Sequence, residues 1–307
     1  MSLILIIVFW LSAVVFLVAC VARILMYAKT PLHLRWELYP VPHEESEKVK
    51  HGGSYFEDVN WWERPRKKNL IGELSAMIPE MLFMKGLWEY NRGLWFLSYP
   101  FHLGLYLLCG SGALLLLSAI ISLFAPNFPS SGVFSIIRAI YIAVGVVGLL
   151  LALLGATLLL IRRLSDSALR IYNTKMDILN LVFFIVTFTL LGLSLLSKGA
   201  GQVGPFSALV GVLSFNTKMN VSPLFGVSFI LLSLLIAYVP LTHMSHFIGK
   251  YFTYHAVRWN DEPNLPNSKL EKEIARLLTL RPTWSASHIQ GDGQKSWADI
   301  ASTNPTK

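Results

Sequence analysis

Eight histidines occur in the chain. Three of them, His102, His243 and His246, fall in stretches that otherwise lack Asp, Glu, Lys and Arg. Ionisable side chains are costly inside a bilayer and tend to mark functional sites there. Neutral imidazole is a strong iron ligand, and two imidazoles from facing helices can hold a haem iron with no coordination position left open. That suits electron transfer rather than oxygen chemistry. Rival chemistries lack parts. A proton relay wants Asp or Glu partners within the apolar stretches, and a di-iron desaturase wants many histidines in clustered boxes, whereas only His243-x-x-His246 is paired. Imidazoles that merely hydrogen-bond across helices are the plain alternative.

The elements that must position these rings follow from composition. Hydrophobic residues make up 54% of 307 residues, only 14% are charged, and the mean hydropathy is +0.53. A soluble domain carries about 25% charged residues. Cys20 and Cys109, the two cysteines, lie in apolar runs, which excludes a disulfide scaffold and a four-thiolate metal centre. Five uncharged stretches reach the roughly 20 residues that a membrane-crossing helix needs: Leu3–Ala22, Leu94–Phe124, Ala139–Ile161, Ile178–Ser197 and Leu224–Ile248. The expected fold is therefore all-α, a five-transmembrane-helix bundle. Residues 1–250 form the membrane domain, with a polar insertion at about 26–93, and 251–307 form a tail.

Charge orients the bundle. The 23–93 region, the 162–177 turn and the tail from 249 hold 23 of the 26 Lys and Arg, while Arg138, Lys198 and Lys218 lie on the other side with no acidic residue. The positive-inside rule then puts the N-terminus outside and the C-terminus in the cytoplasm. This placement of the +8 net charge argues against nucleic acid as a partner. A signal peptide is disfavoured because the first basic residue, Arg23, follows the apolar run. Cleavage for lipidation at Cys20 would put the basic insertion outside. At 1.5 Å per residue, His102 lies about 12 Å from the cytoplasmic boundary, His243 about 10 Å and His246 about 6 Å, hence in one layer. Small residues near them (Gly104, Gly110, Gly112, Ser245) leave space for a flat macrocycle, and Arg92, Arg162 or Lys250 can meet its carboxylates.

In the insertion, Leu70, Leu74, Met77, Ile78, Met81 and Leu82 recur at helical spacing. Pro79 should kink this helix, and Trp88, Trp95 and Arg92 nearby suit one lying in the headgroup layer. In the tail, Ser268-x-x-Glu271 reads as a capping box for a helix bearing Leu270, Ile274, Leu277 and Leu278. Beyond Pro282 the tail is polar, with Trp284 and Trp297 isolated in it. It is either a solvated segment or a docking strap.

Tyr99-Pro-Phe-His102-x-Gly104 and Pro240-Leu-Thr242-x-x-x-His246, set in a five-span plan, resemble the cytochrome b family of nitrate reductase gamma subunits. Lys29-Thr-Pro-Leu-His-Leu-Arg-Trp-Glu-Leu-Tyr-Pro40, His255-x-Val-Arg-Trp259 and Thr283-Trp-Ser-x-x-His288 resemble the branch associated with heterodisulfide-reductase-like iron–sulfur subunits. The resemblance implies a b-type haem with His102 and His246 as axial pair, and His243 as a contact to a propionate or quinone. It departs from the family at the second haem, whose ligand positions are here Gly112 and Ser228. A second haem would have to recruit His243 and His33.

What the resemblance implies is a haem b subunit of a quinol-linked redox complex in the inner (cytoplasmic) membrane. It would carry electrons between membrane quinone and a cytoplasmic iron–sulfur subunit docked on 31–40 and on the tail near Trp284 and Trp297. The rival from another class is a haem-free transporter or scaffold. A standalone oxidoreductase is weakened, because no nucleotide-binding glycine motif or iron–sulfur cysteine set is present.

Overall fold

Apolar length decides the architecture. The computed structural model describes residues 1–29, 40–65, 67–197, 199, 201–286, 289 and 291–302. In chain order the α-helices are α1 (Ser2–Ala28), α2 (Ser46–Lys50), α3 (Leu70–Leu82), α4 (Lys85–Tyr90), α5 (Arg92–Phe124), α6 (Gly132–Ser165), α7 (Ser167–Arg170), α8 (Lys175–Leu196), α9 (Pro205–Leu213), α10 (Pro223–Tyr238), α11 (His246–Phe252), α12 (Lys269–Leu278) and α13 (Trp297–Ala301). The described residues are 74% helical, with no strand among them. Five helices are long and apolar enough to cross a membrane: α1, α5, α6, α8, and α10 with its one-turn extension to Leu241. Backbone groups in lipid must be satisfied within the segment, and a helix does that. Side chains start several of them. Asn91 accepts from the Leu94 N–H, Ser131 from Phe134 and Ser222 from Phe225, and Thr174 and Asp177 cap α8 reciprocally.

The five expected spans all form, with two differences. The fifth helix does not run on to Ile248. Pro240 has no N–H to donate, and the chain passes through 3₁₀ turns at Val239–Leu241 and His243–Ser245 before α11 begins. An unexpected helix, α9, starts with Pro205 in its first turn and buries Ala208, Leu209 and Val212.

The chain divides into two compact units, one of Met1–Ala22 with Ile71–Ser245, the other of Arg23–Leu70 with His246–Lys307. In the first, α5 and α6 are antiparallel and nearly touch at the backbone. A Cβ on Gly104 would stand 2.3 Å from the Ala152 amide nitrogen, and one on Gly155 would stand 2.3 Å from that of Phe101. Small residues at this spacing let membrane helices approach closely, where packing rather than the hydrophobic effect drives association. Phe101, Leu149, Ala152, Ala156, Leu181, Phe184, Phe188 and Leu235 form the core joining α5, α6, α8 and α10. A smaller cluster of Leu5, Ile6 and Val212, with Phe9 and Phe229, ties α1 to α9 and α10. In α3 only Met77 is buried, while Ile71, Leu74, Ile78 and Leu82 are exposed. Its C-terminal end is held to α5 by hydrogen bonds from Trp95 Nε1 to the Phe83 carbonyl and from the Tyr106 hydroxyl to the Met81 carbonyl, both 2.8 Å.

The second unit joins segments about two hundred residues apart. Asp261 accepts from the Tyr55 hydroxyl and lies 3.0 Å from His43 Nε2. Glu44, 1% exposed, accepts from the backbone N–H groups of Val41 and Tyr55 at 3.1 and 3.3 Å. Trp259 is buried against Tyr254, ring centroids 4.6 Å apart. The tail folds back on itself: the Trp297 N–H donates to the Leu280 carbonyl at 2.9 Å, and the Trp284 and Trp297 rings meet edge to face at 5.9 Å. Reciprocal capping between Ser296 and Asp299 starts α13, and the Ser296 hydrogen bonds hold the Asp299 carboxyl below the usual carboxylate range. Asp58 is likewise held low, by its hydrogen bond from Lys48.

Candidate functional site

His102 stands on the α5 face one residue beyond Phe101, half-buried. Its Nδ1 lies 2.9 Å from the carbonyl oxygen of Ser98, one turn back, and 3.3 Å from the Ser98 hydroxyl. A carbonyl only accepts, so Nδ1 carries the proton and the ring lone pair is on Nε2. Metal-binding histidines have this arrangement, in which a backbone acceptor fixes tautomer and ring orientation. The Tyr106 ring, one turn on, is 6.5 Å away.

His243 and His246 do not sit on a continuous fifth helix, so depths counted along such a helix do not apply to them. Both are exposed. His243 begins the 3₁₀ turn after Pro240 and lies close enough to Asp177, at the start of α8, to interact with it electrostatically. His246 is the first residue of α11 and belongs to the second unit. His33 and His288 lie outside the described residues, as does 31–39 of the 31–40 segment. No group of three His, Cys, Asp or Glu side chains arranged for a metal ion occurs among the described residues; a bis-imidazole haem asks for two.

Of the glycines expected to make room for a macrocycle, Gly104 does not. The α6 backbone fills the space its side chain would occupy. Gly110 and Gly112 have nothing within 4 Å of a Cβ. Arg92 lies over the Trp88 ring at 4.8 Å, and Lys250 over Tyr254 at 5.5 Å. Ser228 is fully buried; its hydroxyl donates to the Phe225 carbonyl at 2.9 Å and lies 3.1 Å from the Ser194 hydroxyl.

Sequence reasoning singled out Arg162 but passed over Asn180 and Thr187 in the helix interfaces. Three buried side-chain atoms have no hydrogen-bond partner among the described residues: Arg162 Nη1, Asn180 Nδ2 and Thr187 Oγ1. Asn180 is 5% exposed, and its Oδ1 accepts from the Tyr238 hydroxyl at 2.7 Å. Helix register gives their levels. Phe101 meets Gly155 and Gly104 meets Ala152 across α5 and α6; Leu149 meets Gly192 and Arg163 meets Asp177 across α6 and α8. Counting along these antiparallel pairs puts Thr187 level with His102. Asn180 and Arg162 lie within about 3 Å of a common level, some 10–14 Å nearer the end where Arg163 lies. Asn and Thr seven apart in an apolar run share a helix face, the one signal that could have singled them out.

Of the residues that would hold a haem, His102 has Nε2 as its unprotonated ring nitrogen. Buried donors without a partner among the described residues, which would suit an acidic edge, occur at its level and nearer the basic end. The second imidazole expected, His246, is exposed and belongs to the other unit. The architecture defines a multi-pass, five-helix membrane protein. No family model, no curated protein and no solved structure matches the chain.

Proposed function

We propose that this protein is the haem b membrane subunit of a quinol-linked redox complex, moving electrons between a membrane quinone and a cytoplasmic iron–sulfur subunit of the heterodisulfide-reductase-like kind. The observation that carries the proposal is the His102 Nδ1 bond to the Ser98 carbonyl, which orients an imidazole for ligation inside an apolar helix. When bound, the haem supplies one-electron transfer; the chain supplies ligation, position and electrostatics. His102 and His246 are the proposed axial pair, following the motifs in which they resemble the nitrate reductase gamma family. His243 is left for a propionate or quinone contact, and the haem count is one. The basic end of the bundle, with Arg162, Arg163 and Lys175, is proposed to face the cytoplasm, making the host membrane the cytoplasmic one.

A reduced-minus-oxidised spectrum of the purified protein, with pyridine haemochrome quantification on wild type and on His102→Ala, tests the assignment. The expected result is a b-type α band, about one haem per chain in the wild type, and loss of most of it in the variant. A colourless preparation from iron-replete cells would leave a haem-free transporter or scaffold as the function. Full haem content in His102→Ala would remove this residue as ligand.

A further inference from the structure

Two of the donors without a partner among the described residues, Arg162 and Asn180, lie at nearly one level toward the basic end of the bundle, and a membrane interior makes their isolation expensive. A buried donor without an acceptor costs about 1–3 kcal/mol, more when it is charged. The membrane core holds no bulk water to satisfy it. Asn180 is fixed rather than mobile, because the Tyr238 hydroxyl holds Oδ1 and so commits the amide to presenting Nδ2. Arg162 is on the α6 stripe that also carries Gly148 and Gly155, and that stripe faces α5. Its neighbour Arg163 is already engaged, with Asn173 at 2.9 Å and Asp177 at 3.7 Å. The Asp177 carboxylate on α8 is thus taken by Arg163, and Arg162 keeps a buried N–H for which the described residues provide no acceptor.

Both groups donate, and one is cationic. Their complement is an anionic group with several acceptor oxygens, and a carboxylate matches a guanidinium in geometry as well as charge. Thr187 and His102 lie at one level, deeper, so the acceptor belongs to a molecule that extends from that level toward the basic end. We propose that Arg162 and Asn180 are positioning residues for the carboxylate edge of the prosthetic group, with Tyr238 orienting Asn180. This rests on the haem assignment above and adds which residues hold the acidic edge and which way it points. A cation near the carboxylates also raises the reduction potential, because it disfavours the ferric state, which carries one more positive charge.

The test is potentiometric titration of the full-length protein in detergent, for wild type, Arg162→Met, Arg162→Lys, Asn180→Leu and Tyr238→Phe, with haem content and helicity measured on each. Arg162→Met is expected to lower the midpoint potential and to speed haem loss to an acceptor globin about tenfold, in line with losing one charge-assisted hydrogen bond. Arg162→Lys should recover most of the potential. Asn180→Leu and Tyr238→Phe should each speed haem loss with a smaller change in potential. Haem-loaded, folded variants with wild-type potential and retention would overturn the anchoring proposal while leaving the haem assignment intact. Absence of haem from the wild type would overturn both.

Discussion

The near-contact of α5 and α6 can be tested directly with Gly104→Ala. The added methyl would start 2.3 Å from the Ala152 nitrogen and 2.7 Å from the Gly148 carbonyl oxygen. Both atoms are backbone, so no side chain can swing aside. Ordinary contact requires the helices to part by about 1 Å, and a gap of that size forfeits a quarter to a half of each dispersion contact along the interface. Overpacking typically costs about 1–3 kcal/mol; with backbone on both sides the upper end applies. The helix-propensity gain of Ala over Gly, about 1 kcal/mol, offsets part, leaving a net loss near 2 kcal/mol. Gly110→Ala is the matched control, on the same helix with nothing within 4 Å of the new Cβ; it should be neutral or slightly stabilising. Thermal unfolding in detergent, followed by intrinsic fluorescence, should show Gly104→Ala lower by roughly 4–8 °C and Gly110→Ala unchanged or raised by up to about 4 °C. Equal midpoints for the two variants would refute the close packing. His102 is two residues from Gly104, so a parting of the helices should also weaken retention of the proposed haem.

Other outcomes follow from the second unit. Deleting 283–307, which removes the Trp284–Trp297 pair, is expected to release the proposed iron–sulfur partner from membranes while the spectrum of the proposed haem survives; continued co-purification would contradict docking on the tail. Asp299 has a lowered folded pKa, so its cap stabilises α13 above the unfolded value of about 3.9 and stops doing so as pH falls through the folded value. Proteolysis of the tail should therefore be faster in Asp299→Ala than in wild type at pH 7, and the difference should shrink toward pH 2. A difference that persists in acid would point to a role other than the charge.

The spans were legible because hydropathy over twenty residues is a summed property that single residues scarcely alter. Local exceptions were not. Pro240 ends the fifth helix through one missing N–H, which an apolar window does not register, and α9 is only nine residues long. Gly104 was recognised as small, but whether a small residue opens space or admits another backbone depends on which face meets α6. Asn180 looks like one polar residue in an apolar run until Tyr238 is placed beside it. The second unit was least legible, since Glu44, His43 and Asp261 are polar residues whose burial arises from partners far away in sequence. The proposed haem site shows the same limit: His102 can be singled out by its surroundings, whereas the acceptor for its Nδ1 emerges only from the fold.

The grip of Asp261 on Tyr55 and His43 has a consequence for biogenesis. The early half of that unit leaves the ribosome before four of the five spans, and the late half only after the last. Its polar core therefore stays open during synthesis and closes once all the helices have been delivered. Any chain stalled or cut short within the bundle would expose that unfinished surface to quality-control proteases.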